Sequence, residues 1–434
     1  MKPVIDVHTH IFSAQDIPLK GYLLSRNYKG LLKVVGPLLI PLIARCLRGR
    51  LDPLSVNNFW FRSKCFIPLK IAYAAMGSPY KEWAEVMANP VNAINRMMLE
   101  TYAEDNIDLF VPLMIDYEYW FKNTPDTDLK TQIEFIYEGI IKPNRGRIHP
   151  FVPFDPAREL AFEKGMKNPD GTPETFGSFN LVKDAIENKG FIGVKLYNAM
   201  GYKPFNNKTV EANRRKIALH KRKYVFSGED YDRVLCRLYD YCAENDVPIT
   251  THCNMYGSES YPDASFDFGK AIFWRDVLNQ TKYKKLRLNL AHFGWNPKQG
   301  YHGNNTWVKD ICTMFLEYEN LYADVSHHRI IGDKEQEQFK SDYQDLVRGF
   351  PIVKNRLLFG TDWHVNIRMN GYETFKENYI EILKYKNLFS ISEIEDFLGG
   401  NSLRFLGIKK GSKSYLRLKD FYEQNKIEYP NWIL

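Results

Sequence analysis

Near the start of the chain, Asp6-Val7-His8-Thr9-His10 has the residue types and the spacing of a metal claw. Alternate side chains of a β-strand share a face, so His8 and His10 project together while Val7 and Thr9 face the other way. Imidazole suits zinc, iron, nickel and similar ions, and a catalytic site takes three or more protein ligands and keeps a position for water. Two histidines leave such a site incomplete, so the other donors must come from distant parts of the chain. His252, His292 and Asp362 each close a strand-like run and are followed by a loop-like stretch. Lys195 sits in Phe191-Ile192-Gly193-Val194-Lys195-Leu196-Tyr197, where Ile192, Val194 and Leu196 share one face and Lys195 and Tyr197 the other.

The elements that would carry these residues alternate between strand-like and helix-like periodicity. After the strand holding His8, strands are predicted over 107–114, 147–154, 191–197, 247–252, 286–292, 321–326 and 356–362. Helical spacing is predicted over 131–142 and 231–245. Strand–helix alternation of this kind points to an α/β fold with a parallel sheet. Eight strands, three of them ending in a metal-binding residue type, predict a (β/α)8 TIM-like barrel with its site at the carboxyl ends of the strands. The expected unit is one domain over residues 1–434, with long insertions at about 12–90, directly after strand one, and at about 198–226.

Composition sets limits on what else the chain could be. Its 434 residues are 44% hydrophobic and 26% charged, the profile of a soluble globular protein. The most apolar run, residues 34–44, is interrupted by Gly36, Pro37 and Pro41 and is far shorter than the ~20 residues needed to span a bilayer. The 12–90 insertion therefore reads as a helical lid or a homo-oligomer contact, with a membrane-surface anchor as the alternative, and no transmembrane span is expected. Met1-Lys2-Pro3 leads straight into the first strand without a charged and apolar leader, so cytoplasmic placement is expected. The six cysteines form no C-x-x-C pair, which speaks against a disulfide framework or a thiolate zinc site.

The net charge of +7 is local. Between Lys203 and Lys223 there are eight Lys or Arg against the single acid Glu211, which is the whole excess. A chain that is otherwise balanced gives no reason to expect nucleic-acid binding. The segment reads as a solvated loop and exposed basic helix.

His8 and His10 in DVHTH, Lys195 in GVKLY, His252 in PITTHC, His292 in LNLAHFGW and Asp362 in LLFGTDWH resemble the ordered ligand set of the amidohydrolase superfamily. Within it the chain resembles the amidohydrolase-related family that includes aminocarboxymuconate semialdehyde decarboxylase, through AHFGW, FGTDW and the closing stretch Gly400-Asn401-Ser402-Leu403-Arg404-Phe405-Leu406-Gly407. The resemblance runs from residue 4 to about 408 and leaves the two insertions unexplained. It implies a metal held by His8, His10, His252 and Asp362, with Asp362, His292 and Lys195 in the chemistry. In a closed barrel strand eight lies beside strand one, which would bring Asp362 to His8 and His10.

The resemblance implies one divalent ion, zinc first, with manganese, iron or nickel also suiting the donors. A second ion enters if Lys195 is carboxylated by CO2. Such a metal lowers the pKa of a bound water from about 15.7 towards ~7, making hydroxide available to attack an amide, ester or lactone carbonyl of a small molecule. Asp362 would shuttle the proton and His292 would hydrogen-bond a substrate oxygen. The runner-up is decarboxylation of a small aromatic or unsaturated acid, since the resembling family contains both chemistries. An inactive barrel serving as a binding module is the reading of a different class, and the intact ligand positions speak against it. Around the site, His302, His327, His328 and His364 are loop histidines on the same face. Trp295, Trp363 and Tyr197 could line an apolar wall. Arg368 or Lys203 could hold a carboxylate if the substrate is anionic.

Overall fold

The computed structural model describes residues 2–25, 78–121, 123–167, 171–211, 214, 226–296, 306–330, 332–369 and 371–433. The apolar run 34–44, the basic residues 215–223 and His302 lie outside the described residues.

Strand β1 (Ile5–Thr9) is buried at every position, the polar Asp6 and His8 included. That follows from its being parallel and covered on both faces, where the sequence need not alternate apolar and polar. It pairs in parallel with β2 (Leu109–Pro112). A second, six-stranded sheet runs β3 (Phe151–Pro153), β4 (Gly193–Leu196), β5 (Ile249–His252), β6 (Leu288–Ala291), β7 (Leu321–Asp324) and β8 (Leu357–Leu358) in chain order. Every pairing is parallel.

The two sheets are bridged at both ends. Phe110 and Leu113 form parallel bridges to Ile148 and Phe151, next to β3. On the other side the Val7 N–H donates to the Phe359 carbonyl at 3.1 Å, and the Asp362 N–H to the His8 carbonyl at 2.6 Å. The chain after β8 therefore lies against β1, and Asp362 arrives beside the first histidine.

All the strands expected from the sequence are present, shorter than periodicity suggested. The clearest correction is β8, expected over 356–362, which ends at Leu358. Beyond it Asp362 takes the left-handed region at φ 54°. Strand Asp6 holds that turn, accepting the Thr361 N–H at 3.1 Å and its hydroxyl at 2.6 Å.

Helices connect the strands. The helix Gly228–Asn245 begins three residues before the expected Tyr231 because Ser227 and Asp230 form a reciprocal cap, a local hydrogen-bond device that apolar periodicity does not register. Tyr231, Val234, Leu235, Leu238, Tyr239 and Cys242 make its buried face, and each such side chain stabilises the fold by about 1.5–3 kcal/mol. The helix expected over 131–142 starts at Leu129, capped by Asp128, and widens into a π-turn over Tyr137–Ile141 that leaves both Ile140 and Ile141 buried. Of the 12–90 insertion, the helices Leu19–Ser25 and Ser78–Met87 are described, and the Ala14 N–H reaches the Met87 carbonyl at 2.9 Å. Cys236, Cys242, Cys253 and Cys312 are free thiols, as their spacing implied. Among the described residues no helix is long and apolar enough to cross a membrane.

Candidate metal centre

His8 and His10 leave β1 on the same face, as period-two geometry requires, with ring centroids 5.3 Å apart. The His10 Nδ1–H donates to the Leu113 carbonyl at 2.6 Å, which fixes the tautomer and leaves Nε2 as a lone-pair donor. That Nε2 lies 3.5 Å from Asp362 Oδ1. His8 turns its Nδ1 to Asp324, 3.1 Å from Oδ2, so its Nε2 is likewise left to coordinate. Donor atoms of His8, His10 and Asp362 all lie within 4.8 Å of one another.

Asp362 is the telling member. It is buried, and its Oδ1 has no hydrogen-bond partner among the described residues. Burial pushes its carboxyl well above the ordinary range, with Arg368 pulling the other way. A buried, unsatisfied carboxylate oxygen costs several kcal/mol unless something positive completes it. A divalent ion between two imidazole Nε2 atoms and this oxygen would do so, and a mixed nitrogen–oxygen donor set suits zinc, manganese or iron. The residues therefore fit a metal.

Asp324, which the reading of the sequence passed over, is the second carboxylate of the site. It ends β7, but the strand expected over 321–326 ran past it to Ser326, so no strand-end signal marked it. Besides His8 it accepts the His292 N–H at 3.1 Å, the Asn289 amide at 2.7 Å and the Ser326 hydroxyl. Burial alone would raise its pKa, but His8, His292 and Ser326 together hold it well below the ordinary carboxylate range. His8, His292 and Asp324 form a second compact trio of donor atoms. Because the Asp324 oxygens are already taken up by hydrogen bonds, we read it as the residue that orients His8.

The other expected residues fall into place around this pair. The ring centroids of His292 are 4.8 Å from His8 and 4.9 Å from His252, and its Nδ1 meets the Ser326 hydroxyl at 2.8 Å. His252 ends β5 and stacks on Tyr197, with its Nε2–H donating to the Tyr256 carbonyl at 2.8 Å. That bond directs Nε2 to the loop after β5, and His252 belongs to neither donor trio. Lys195 is buried and pairs with no carboxylate among the described residues; burial pulls its ammonium down to about 8, with Asp324 and Asp362 opposing. Burial likewise lowers the histidines His8, His10 and His292, keeping them neutral.

These groups form the floor of a cavity of about 340 Å³, walled by Tyr22, Trp83, Tyr117, Tyr197 and Trp295. A neighbouring apolar cavity of about 170 Å³ behind Phe12 and Ile17 contains none of the metal donors. Of the remaining candidates His327, Trp295, Tyr197 and Arg368 line the larger cavity. His328 is structural: its Nε2–H holds the His292 carbonyl at 3.0 Å, and Nδ1 meets the Tyr379 hydroxyl. His364 stacks on Phe12 at 4.2 Å and does not line the cavity. Trp363 is buried outside the cavity, and Lys203 bonds Thr209 at 2.9 Å, away from it. His292, His327 and Asp362 all have left-handed backbones, φ 68°, 58° and 54°, a conformation that costs non-glycine residues energy.

The profile of the amidohydrolase family matches residues 174–408, more than half of the chain. No curated protein matches it by sequence. Among solved structures it is similar to a putative metal-dependent hydrolase from Lactobacillus casei, with 16% identity, a TM-score of 0.46 and coverage of 94% of this chain and 96% of that one. It is also similar to a 5-carboxyvanillate decarboxylase from Novosphingobium aromaticivorans, with 11% identity, a TM-score of 0.47 and coverage of 94% and 97%. A glucuronate isomerase from Caulobacter crescentus has 11% identity, a TM-score of 0.44 and coverage of 99% and 93%.

Proposed function

The chain belongs to the amidohydrolase family, and from that premise we propose that it is a metal-dependent hydrolase of small-molecule amides, esters or lactones. The observation that carries this reading is the convergence of His8, His10 and Asp362 around a buried carboxylate oxygen that no other described residue satisfies. The proposed ion is single and divalent, zinc first, held by those three residues; His252, expected as the fourth ligand, has its Nε2 bound to the Tyr256 carbonyl and keeps only Nδ1 for that role. The proposed scaffold is a closed (β/α)8 barrel in one domain over residues 1–434, supported by the backbone bonds from β1 to the chain after β8 and from β2 to β3.

When bound, the ion supplies Lewis acidity that makes water nucleophilic at neutral pH and polarises the carbonyl. The chain does the rest. Water adds to the carbonyl carbon, the bond to nitrogen or oxygen breaks, and the proton lost by the water ends on the leaving group. Asp362, buried beside the two histidines, holds this proton in between on the carboxylate oxygen that the ion would leave free. The His292 ring, fixed at Nδ1 by Ser326, has Nε2 for the oxygen or leaving group of the substrate. Tyr197 and Trp295 exclude bulk water from the cavity in which this happens.

Elemental analysis of the purified chain, followed by a panel of lactones, esters and hydroxybenzoates, tests the proposal. Roughly one metal per chain and opening of a lactone or ester are expected. Release of CO2 without incorporation of water would replace hydrolysis by decarboxylation. A chain that carries no metal and cannot be loaded would end the enzyme reading.

A further inference from the structure

Phe12, Ile17, Ile115 and Tyr117 line both the metal-centre cavity and the apolar cavity of about 170 Å³ beside it. These four residues are therefore the partition between the two. The apolar cavity lies at the same end of the strands as the metal donors. Ile11 belongs to the chain after β1, Leu113 and Met114 to the chain after β2, and Val91 and Ile136 to the helices Val91–Thr101 and Leu129–Ile136. The cavity also touches the site itself: the Leu113 carbonyl is the one that receives the His10 Nδ1–H, and the Phe12 ring centroid is 6.0 Å from that of His10.

The polar groups of this cavity are already committed to one another. Asp16 is the one charged residue among the described residues that line it, and its Oδ2 accepts the Ser13 N–H at 2.8 Å and the Ser13 hydroxyl at 2.7 Å. The Gln132 amide donates to the Asp16 and Thr127 carbonyls at 2.9 and 2.7 Å, and the Thr131 hydroxyl to Asp128 at 2.7 Å. What remains is mostly aliphatic and aromatic. Protein interiors hold few voids larger than a water molecule, and an apolar void of ~150 Å³ takes an apolar guest in preference to water.

We infer that the apolar cavity is a tail subsite, and that the substrate carries an alkyl chain which passes the partition while its carbonyl sits at the metal centre. Phe12 and Tyr117 stand on the loops after β1 and β2, and a change of their rotamers admits the chain. Burial of the chain then supplies affinity, and the wall holding Leu113 and Phe12 fixes the carbonyl relative to His10. This rests on the metal-centre cavity being the substrate site of the proposed hydrolase, and it narrows the substrate class to carbonyl compounds with an aliphatic tail.

The test uses the full chain as purified, titrated calorimetrically with butanamide, hexanamide and octanamide. Affinity is expected to rise along the series, by up to about fourfold per buried methylene and by at least roughly tenfold from butanamide to octanamide. Val91 and Met114 line the apolar cavity and not the other, so Val91→Phe and Met114→Phe fill it from two sides. Each should remove most of the gain and leave butanamide within about twofold. Unchanged butanamide binding and metal content show that the metal-centre cavity is intact. Butanamide and octanamide should also exclude each other; binding of both at once would make the cavity a separate apolar site and overturn the inference. Equal binding of the three amides would overturn it too, as would no binding of any of them at about 10 mM. So would a length preference that survives both substitutions, since the tail would then lie along the aromatic wall of the metal-centre cavity. Length-dependent, mutually exclusive binding without any turnover of amides, esters or lactones would keep the subsite and discard the hydrolase.

Discussion

His8 Nδ1 lies 3.1 Å from Asp324 Oδ2, across 316 residues of sequence. This one carboxylate also receives the His292 backbone N–H, so the first histidine of the chain and the histidine after β6 are oriented from the same point. Asp324→Asn should lower metal affinity by about 10–100-fold, the usual effect of removing the carboxylate behind a ligating imidazole, while circular dichroism stays unchanged. Equal metal affinity in the variant and the wild type would make Asp324 a packing residue only.

His8→Ala and Asp362→Asn should each reduce turnover by at least about 100-fold with the fold retained, because they remove a donor and the proton-holding oxygen. Steady-state kinetics on the best substrate of the panel is the measurement. A rate within about tenfold of wild type in either variant would take that residue out of the mechanism.

Lys195 decides the number of ions. With the lysine as an amine, metal analysis should return one equivalent, and Lys195→Ala should not change it. Two tightly held equivalents, the second lost in Lys195→Ala and restored by a short carboxylic acid, would mean instead that Lys195 is carboxylated and bridges two ions.

Gly360→Ala tests the crossing of the chain over β1. A Cβ at that position would come within 2.9 Å of the His8 Cβ, so either the turn after β8 or the histidine must move. Thermal unfolding should show a loss of about 1–3 kcal/mol, accompanied by weaker metal binding. Wild-type stability together with wild-type metal affinity would mean the turn relaxes freely.

A pH effect is expected far from the metal centre. His149 is buried between the Gly190 carbonyl and the Tyr422 hydroxyl, and burial lowers its pKa from 6.5 to about 4. The unfolded chain therefore takes up this proton first as the pH falls. Stability from this site is complete above pH 6.5 and is lost as the pH drops towards about 4, by ~3 kcal/mol in all. His149→Gln should flatten the acid limb of the denaturation midpoint by that amount. An unchanged limb would assign the acid sensitivity to other groups.

The residue order of the chain was enough to predict the strands, the shared face of His8 and His10, and the strand end that carries His252; His292 follows β6 directly, and Asp362 lies four residues past the end of β8. These follow from local periodicity and from a motif order that any fold bringing strand ends together must respect. Tertiary structure alone decided which donors meet. Asp362 reaches His8 and His10 because the backbone turns left-handed after β8 and Asp6 holds that turn. The Nε2 of His252 is bound to the Tyr256 carbonyl, and His364 is drawn to Phe12, because loop hydrogen bonds and ring stacking are set by neighbours remote in sequence. Asp324 stayed hidden for the same reason. An aspartate has no distinct sequence signature for orienting a ligand. Only its partners across the fold confer that role.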